Sequence, residues 1–129
     1  MKMLESSCDP TEHRSPKKRP RPAPVAFDRA AAIFRALGDP GRLRILEMLL
    51  TSPLCVSAIS RELHDSMPAV SQRLKLLRSE RLVVRHRQGK HVIYSLADLH
   101  ISELVRNGLA HASEVEERGV RKRVSSTKS

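Results

Sequence analysis

The chain has no tryptophan, one tyrosine (Tyr94) and two phenylalanines (Phe27 and Phe34) among 129 residues. Proteins that hold single-stranded nucleic acid stack its bases on aromatic platforms, so this scarcity argues against that mode of binding. Cysteine is scarce too: Cys8 and Cys55 are the only two. That is too few for a disulfide framework, and in a reducing compartment both are expected to stay thiols. No run of about 18 apolar residues is present, which excludes a membrane-spanning helix, and the first residues lack the apolar stretch of a secretory signal. The expected location is cytoplasmic, with no membrane partner. Acid is in short supply as well. Asp and Glu number 14 against 24 Lys and Arg, for a formal net charge of +10. Such an excess calls for a polyanionic partner, double-stranded DNA ahead of RNA or a membrane surface.

The placement of the charge sharpens this reading. Between Ser66 and His91 stand seven bases (Arg73, Lys75, Arg78, Arg81, Arg85, Arg87 and Lys90) against one acid, Glu80. Residues 1–25 hold five of the eight prolines and the run Lys17-Lys18-Arg19. They cannot bury enough apolar area to offset their ordering entropy, and read as a disordered basic arm. Residues 26–117 suit a single domain, and 118–129 read as a flexible basic tail.

Within the domain the apolar spacing is first helical. Ala30, Ile33, Phe34 and Leu37 recur at helical intervals, and Gly38 ends the segment. Asp39 is an N-cap with Pro40 at the first helical position, and Leu43, Ile45, Leu46, Leu49 and Leu50 form an apolar face. A short helix follows over about Val56–Leu63. His64-Asp65-Ser66 makes a turn, and Ser66 caps a fourth helix with Val70, Leu74 and Leu77 inward. From Leu82 the period becomes two, with a turn at Gln88-Gly89 and a return strand carrying Val92, Tyr94 and Leu96. A last helix opens at Ala97-Asp98 and runs to about Glu116, its stripe being Ile101, Leu104, Val105, Gly108, Ala112 and Val115. The expected fold is mainly α with a small β-hairpin: a winged helix-turn-helix, dimeric through its terminal helices.

In such a fold the second helix of the motif enters the major groove. Its DNA-facing residues here are Ser66, Met67, Pro68, Ser71, Gln72, Arg73 and Lys75. Gln72 has the geometry for a bidentate contact to adenine, and Arg73 or Lys75 for guanine or phosphate. Arg85, Arg87 and Lys90 on the hairpin are suited to gripping phosphate.

The last helix carries metal-ligand chemistry. Asp98 and His100 stand near its start, and His111 and Glu114 lie eleven residues and more beyond. Eleven residues return to nearly the same helix face but rise about 16–17 Å, whereas zinc holds its ligands about 2 Å away. One helix cannot close the site, but two antiparallel copies can, at two symmetric intersubunit positions. The plainer alternative is a pair of solvated histidines on an amphipathic helix. Two imidazoles and two carboxylates suit Zn(II), with Co(II) or Ni(II) as substitutes.

These segments together resemble the ArsR/SmtB family of bacterial metal-responsive winged-helix repressors. Phe34-Arg-Ala-Leu-Gly-Asp-Pro-Gly-Arg-Leu-Arg-Ile-Leu is similar to the family's second-helix signature. Pro68-Ala-Val-Ser-Gln-Arg-Leu-Lys-Leu-Leu is similar to its recognition helix, and Arg87-Gln-Gly-Lys-His-Val-Ile-Tyr-Ser-Leu to its wing. The likeness spans roughly residues 27–117. It implies a homodimer that binds operator DNA without metal and leaves it when Zn(II) binds Asp98, His100, His111 and Glu114. It also implies a relay in which His111 donates its second ring N–H to a backbone carbonyl near Arg81. Pro68 and Gln72 depart from the commoner Ser and His of the family, which bears on the operator sequence. A second metal site built from Cys8, His13 and Cys55 is the family's other option, but Ser57 and Ala58 are poor ligands where it would need another. Three rivals remain: a regulator switched by thiol redox at Cys8 and Cys55, a purely architectural DNA-binding protein, and a His/carboxylate zinc hydrolase. The hydrolase lacks an open coordination position and a nucleophile, so the chain is not expected to be an enzyme.

Overall fold

The computed structural model describes residues 19–126, with side chains described through residue 120. Five helices and three strands run in the order α1 (Pro24–Leu37), α2 (Pro40–Leu49), β1 (Leu54–Cys55), α3 (Val56–Leu63), α4 (Met67–Ser79), β2 (Val83–Gln88), β3 (His91–Leu96) and α5 (Leu99–Ser126) among the described residues.

Local chemistry explains the boundaries. Pro24 occupies the first turn of α1, where its missing N–H costs nothing, so the helix starts inside the segment read as a disordered arm. The remainder of that arm is mostly outside the described residues. Gly38 ends α1, and Arg42 reaches back to cap it, its Nε donating to the Ala36 carbonyl at 2.7 Å and Nη2 to that of Arg35 at 3.2 Å. Asp39 caps α2 by accepting from the Arg42 N–H at 2.9 Å. Ser66 caps α4, its Oγ accepting from the Ala69 N–H at 3.2 Å.

The two helices of the helix-turn-helix close in the same way. The Asp65 N–H bonds the Ser60 carbonyl at 3.1 Å and the His64 N–H that of Arg61 at 3.4 Å; after α4, Leu82 bonds Leu77 at 2.9 Å and Arg81 bonds Arg78 at 3.0 Å. This is the Schellman pattern, whose left-handed position usually falls to glycine. Here His64 (φ 54°) and Arg81 (φ 59°) occupy it instead.

β2 and β3 form the expected hairpin, with Val83 opposite Leu96 and Gln88 opposite His91. The turn is Gly89-Lys90, one residue later than the sequence pattern placed it, with Gly89 at φ 64° in the first turn position. β1, only two residues long and without a sequence signal of its own, pairs with β3 and makes the sheet three-stranded in the order β1-β3-β2. The core joins Ile45 and Leu46 of α2, Ile59 of α3, Val70, Leu74 and Leu77 of α4, Leu82 and Val83 at the start of the wing, and Ile101 and Val105 of α5.

α5 runs well beyond Glu116, into the segment read as a flexible tail. Glu116, Glu117, Arg118, Arg121, Lys122 and Arg123 are all good helix formers, and Gly119 alone, at about 1 kcal/mol, does not break the run. Its 28 residues span about 42 Å, and only the first turns pack on the domain.

Candidate functional site

α4 presents Met67, Pro68, Ser71, Gln72 and Lys75 to solvent, while Val70, Leu74 and Leu77 anchor its other face in the core. Ser66 is exposed, but its hydroxyl is engaged as the helix cap. Arg85, Arg87 and Lys90 are exposed on the wing. The register sets Arg85 opposite Tyr94 and Arg87 opposite Val92, so both arginines continue outward along the strand face whose inner end is buried. An exposed helix face thus stands beside a basic hairpin, the two elements that a winged helix-turn-helix offers to duplex DNA.

Arg73 is placed differently from its neighbours. It is half-buried and ion-paired to Asp65 in the turn before α4. The Arg73 guanidinium, with help from the Ser66 N–H, holds the Asp65 carboxyl below the usual carboxylate range. The sequence reading lists Arg73 with the DNA contacts and gives it no partner within the chain; the acid eight residues upstream, just before the helix cap, is the signal for the pair.

The four residues of the metal-ligand pattern all lie on the exposed side of α5 or just before it. Asp98 and His100 adjoin, with Nδ1 to Oδ1 at 3.7 Å and side chains 55% and 90% exposed. One Asp98 oxygen accepts the Ile101 N–H at 3.1 Å and caps α5. His111 and Glu114 stand three turns on and are exposed. No group of three or more metal-ligating side chains occurs among the described residues. A single protomer therefore carries two separated donor pairs. Their donors are accessible and of a chemistry that fits a divalent ion, but four of them meet only if a second copy brings its own pair alongside. Asp98 also lines, with Arg29, Glu80 and Arg81, a cleft of about 400 Å³ where α1, the end of α4 and the start of α5 meet.

Cys55 sits at the N-terminus of α3, its Sγ 3.2 Å from the Ser57 Oγ. The Ser57 hydroxyl, and after it the Ala58 backbone N–H, push the thiol pKa down. Cys8 and His13 lie outside the described residues, so only Cys55 of the alternative metal site can be placed.

An apolar groove of about 260 Å³ runs between α1 and α5, lined by Phe34, Leu37, Leu43, Leu104, Val105, Gly108, Leu109 and Ala112. Phe34, one of its lining residues, is 59% exposed, and Phe27, two turns earlier on α1, is 61% exposed. The helical spacing of Phe34 with Ala30, Ile33 and Leu37 holds, and Phe34 lies at the lip of the groove.

Fold and surface define a winged helix-turn-helix DNA-binding regulator. Residues 39–84 match the model of the bacterial regulatory proteins of the arsR family. The chain is 40% identical over 111 residues to the transcriptional repressor SmtB homolog of Synechocystis, covering 83% of this chain and 84% of that protein. A cadmium resistance transcriptional regulatory protein CadC homolog of Staphylococcus aureus is 35% identical over 86 residues, covering 66% and 71%. Among solved structures, the homodimeric winged helix-turn-helix DNA-binding domain from Mycobacterium bovis superposes with a TM-score of 0.67 at 27% identity, over 78% of this chain and 92% of that one. The chain belongs to the ArsR/SmtB family of transcriptional repressors, and its role is DNA binding rather than catalysis. No helix among the described residues is long and apolar enough to cross a membrane.

Proposed function

We infer that this repressor is a metal sensor: a homodimer that holds its operator in the metal-free state and is released by Zn(II), with Co(II) or Ni(II) able to substitute. Each of two sites would take Asp98 and His100 from one protomer and His111 and Glu114 from the other. The observation that carries the reading is the geometry of α5. Two exposed donor pairs stand at a separation no single helix can close, with an apolar groove between α5 and α1 that a second copy would cover. A homodimeric structural relative and a relative named for cadmium resistance support the same reading. The bound ion would supply a cross-link between the two dimer helices. His111 would use one ring nitrogen as ligand and donate the other N–H to a backbone carbonyl near Arg81, where recognition helix and wing join.

The test is operator affinity of the dimer with zinc absent and zinc saturating. Allosteric couplings are typically about 1–3 kcal/mol, so zinc should weaken binding at least several-fold. No zinc effect would overturn the sensor reading. One observation favours a second signal: Cys55 stands at the N-cap position of α3 with its Sγ 3.2 Å from the Ser57 Oγ, a setting that favours the thiolate. Control of repression that survives replacement of both cysteines by serine would eliminate it.

A further inference from the structure

We propose that Arg73 is a positioning residue: it locks the recognition helix to the turn before it and to the start of α2, and it thereby sets the base contacts made by its neighbours. The proposal rests on the DNA-binding reading of α4. Three observations carry it. First, the guanidinium is engaged within the chain, paired with Asp65, with both side chains only about a third exposed (33% and 35%). Second, Asp65 is itself immobilised. Its N–H donates to the Ser60 carbonyl at 3.1 Å, its carbonyl accepts from the Ser60 hydroxyl, and its other carboxylate oxygen accepts the Ser66 N–H at 3.0 Å. A charge-assisted bond to so fixed an acceptor constrains direction as well as distance. Third, the guanidinium lies against bare backbone at Gly41. A Cβ there would stand 2.9 Å from Arg73 Nε and 3.2 Å from both Arg73 Cζ and Asp39 Oδ2. The bare backbone of Gly41 thus leaves room for the planar group. One side chain bonds the turn to α4 and packs against the start of α2, two positions from Ser71 and next to Gln72.

A phosphate-gripping arginine and a positioning arginine respond oppositely to the removal of Asp65. The experiment measures binding to a preferred duplex, selected from random sequences by the wild-type dimer, and to an unrelated duplex, each across a salt series. Wild type is compared with Arg73→Ala, Arg73→Lys, Asp65→Asn and Gly41→Ala. If Arg73 positions the helix, Arg73→Ala, Asp65→Asn and Gly41→Ala each lower the preference for the selected duplex by roughly tenfold, the worth of one misplaced base contact. The salt slope and the affinity for unrelated DNA stay at wild type. Arg73→Lys keeps the charge but not the planar fit against Gly41, and recovers the preference only in part. Far-ultraviolet circular dichroism and the dimer's sedimentation report that each variant is folded. The proposal is overturned if Arg73→Ala weakens both duplexes equally with a slope smaller by about one, the mark of a lost phosphate contact, or if Asp65→Asn tightens binding. A wild-type chain that selects no sequence at all overturns the DNA-reading assignment of α4 itself.

Discussion

At the scale of the residue, the proposed sensor gives the two imidazoles of α5 unequal tasks. His100 is needed only as a ligand, so His100→Ala in both chains should abolish both tetrahedral sites. A heterodimer of His100→Ala with His111→Ala should keep one, because both lesions fall in the other. Co(II) absorption at full stoichiometry and tetrahedral in the homodimeric His100→Ala variant would refute the ligand set. His111 would use its second ring N–H as well, for the relay. His111→Asp should keep some metal affinity and full metal-free operator binding, yet lose zinc-dependent release; an unchanged zinc effect would refute the relay. Asp65 gives a pH test. Its carboxyl is held below the ordinary carboxylate range, chiefly by Arg73. The pair's contribution is therefore complete above the unfolded carboxylate pKa, about 4, and is lost as pH falls through the lowered folded value. The melting temperatures of wild type and Asp65→Asn should differ at neutral pH and converge in acid.

At the scale of the element, most of the fold was written in local chemistry. Asp39-Pro40 and Ser66 announce two helix starts, and Val70, Leu74 and Leu77 turn inward as their spacing requires. The change of period at Leu82 marks the wing. What the chain did not announce depends on contacts distant in sequence. β1 is a strand only because β3 lies beside it, and Arg73 turns inward because Asp65 and Gly41 receive it. The left-handed closures were also hidden, since His64 and Arg81 stand where glycine usually signals the position. A non-glycine residue there carries a cost of roughly 1–2 kcal/mol. His64→Gly and Arg81→Gly should each stabilise the domain by about 1 kcal/mol, read from urea midpoints at unchanged slope.

At the scale of the whole molecule, the decisive feature is how little of α5 its own domain covers. Ile101 and Val105 are buried, whereas Leu104 and Val115 remain exposed. A Cβ added at Gly108 or at Gly119 would meet nothing within 4 Å in one protomer. Replacing either glycine by alanine should then raise helix stability by up to about 1 kcal/mol if nothing else covers it. Gly108 lies in the groove shared with α1, so Gly108→Leu should leave the protomer folded but shift the sedimentation equilibrium toward monomer. Gly119→Ala should leave association alone. Equal dimer affinity for wild type and Gly108→Leu would place the interface elsewhere. That Asp98 with His100 and His111 with Glu114 form two exposed, widely separated pairs was legible from their spacing, because it requires only helical geometry. The groove was not legible, because it depends on how closely α1 approaches α5.

The strand order β1-β3-β2 leaves β2 at the rim of the sheet, with one row of backbone donors and acceptors unmatched among the described residues. Such a rim invites another polypeptide to add itself as the next strand, and charged side chains are a common defence. Arg85 and Arg87 supply that defence on the same strand that the proposed DNA contact would use. The two duties are separable by choice of substitution. Glutamine at both positions should cost DNA affinity and leave the protein in solution. Valine at both would also extend the apolar run from Val83 and Val84 along an open edge, and such a variant should precipitate or form β-rich aggregates before its DNA affinity can be measured.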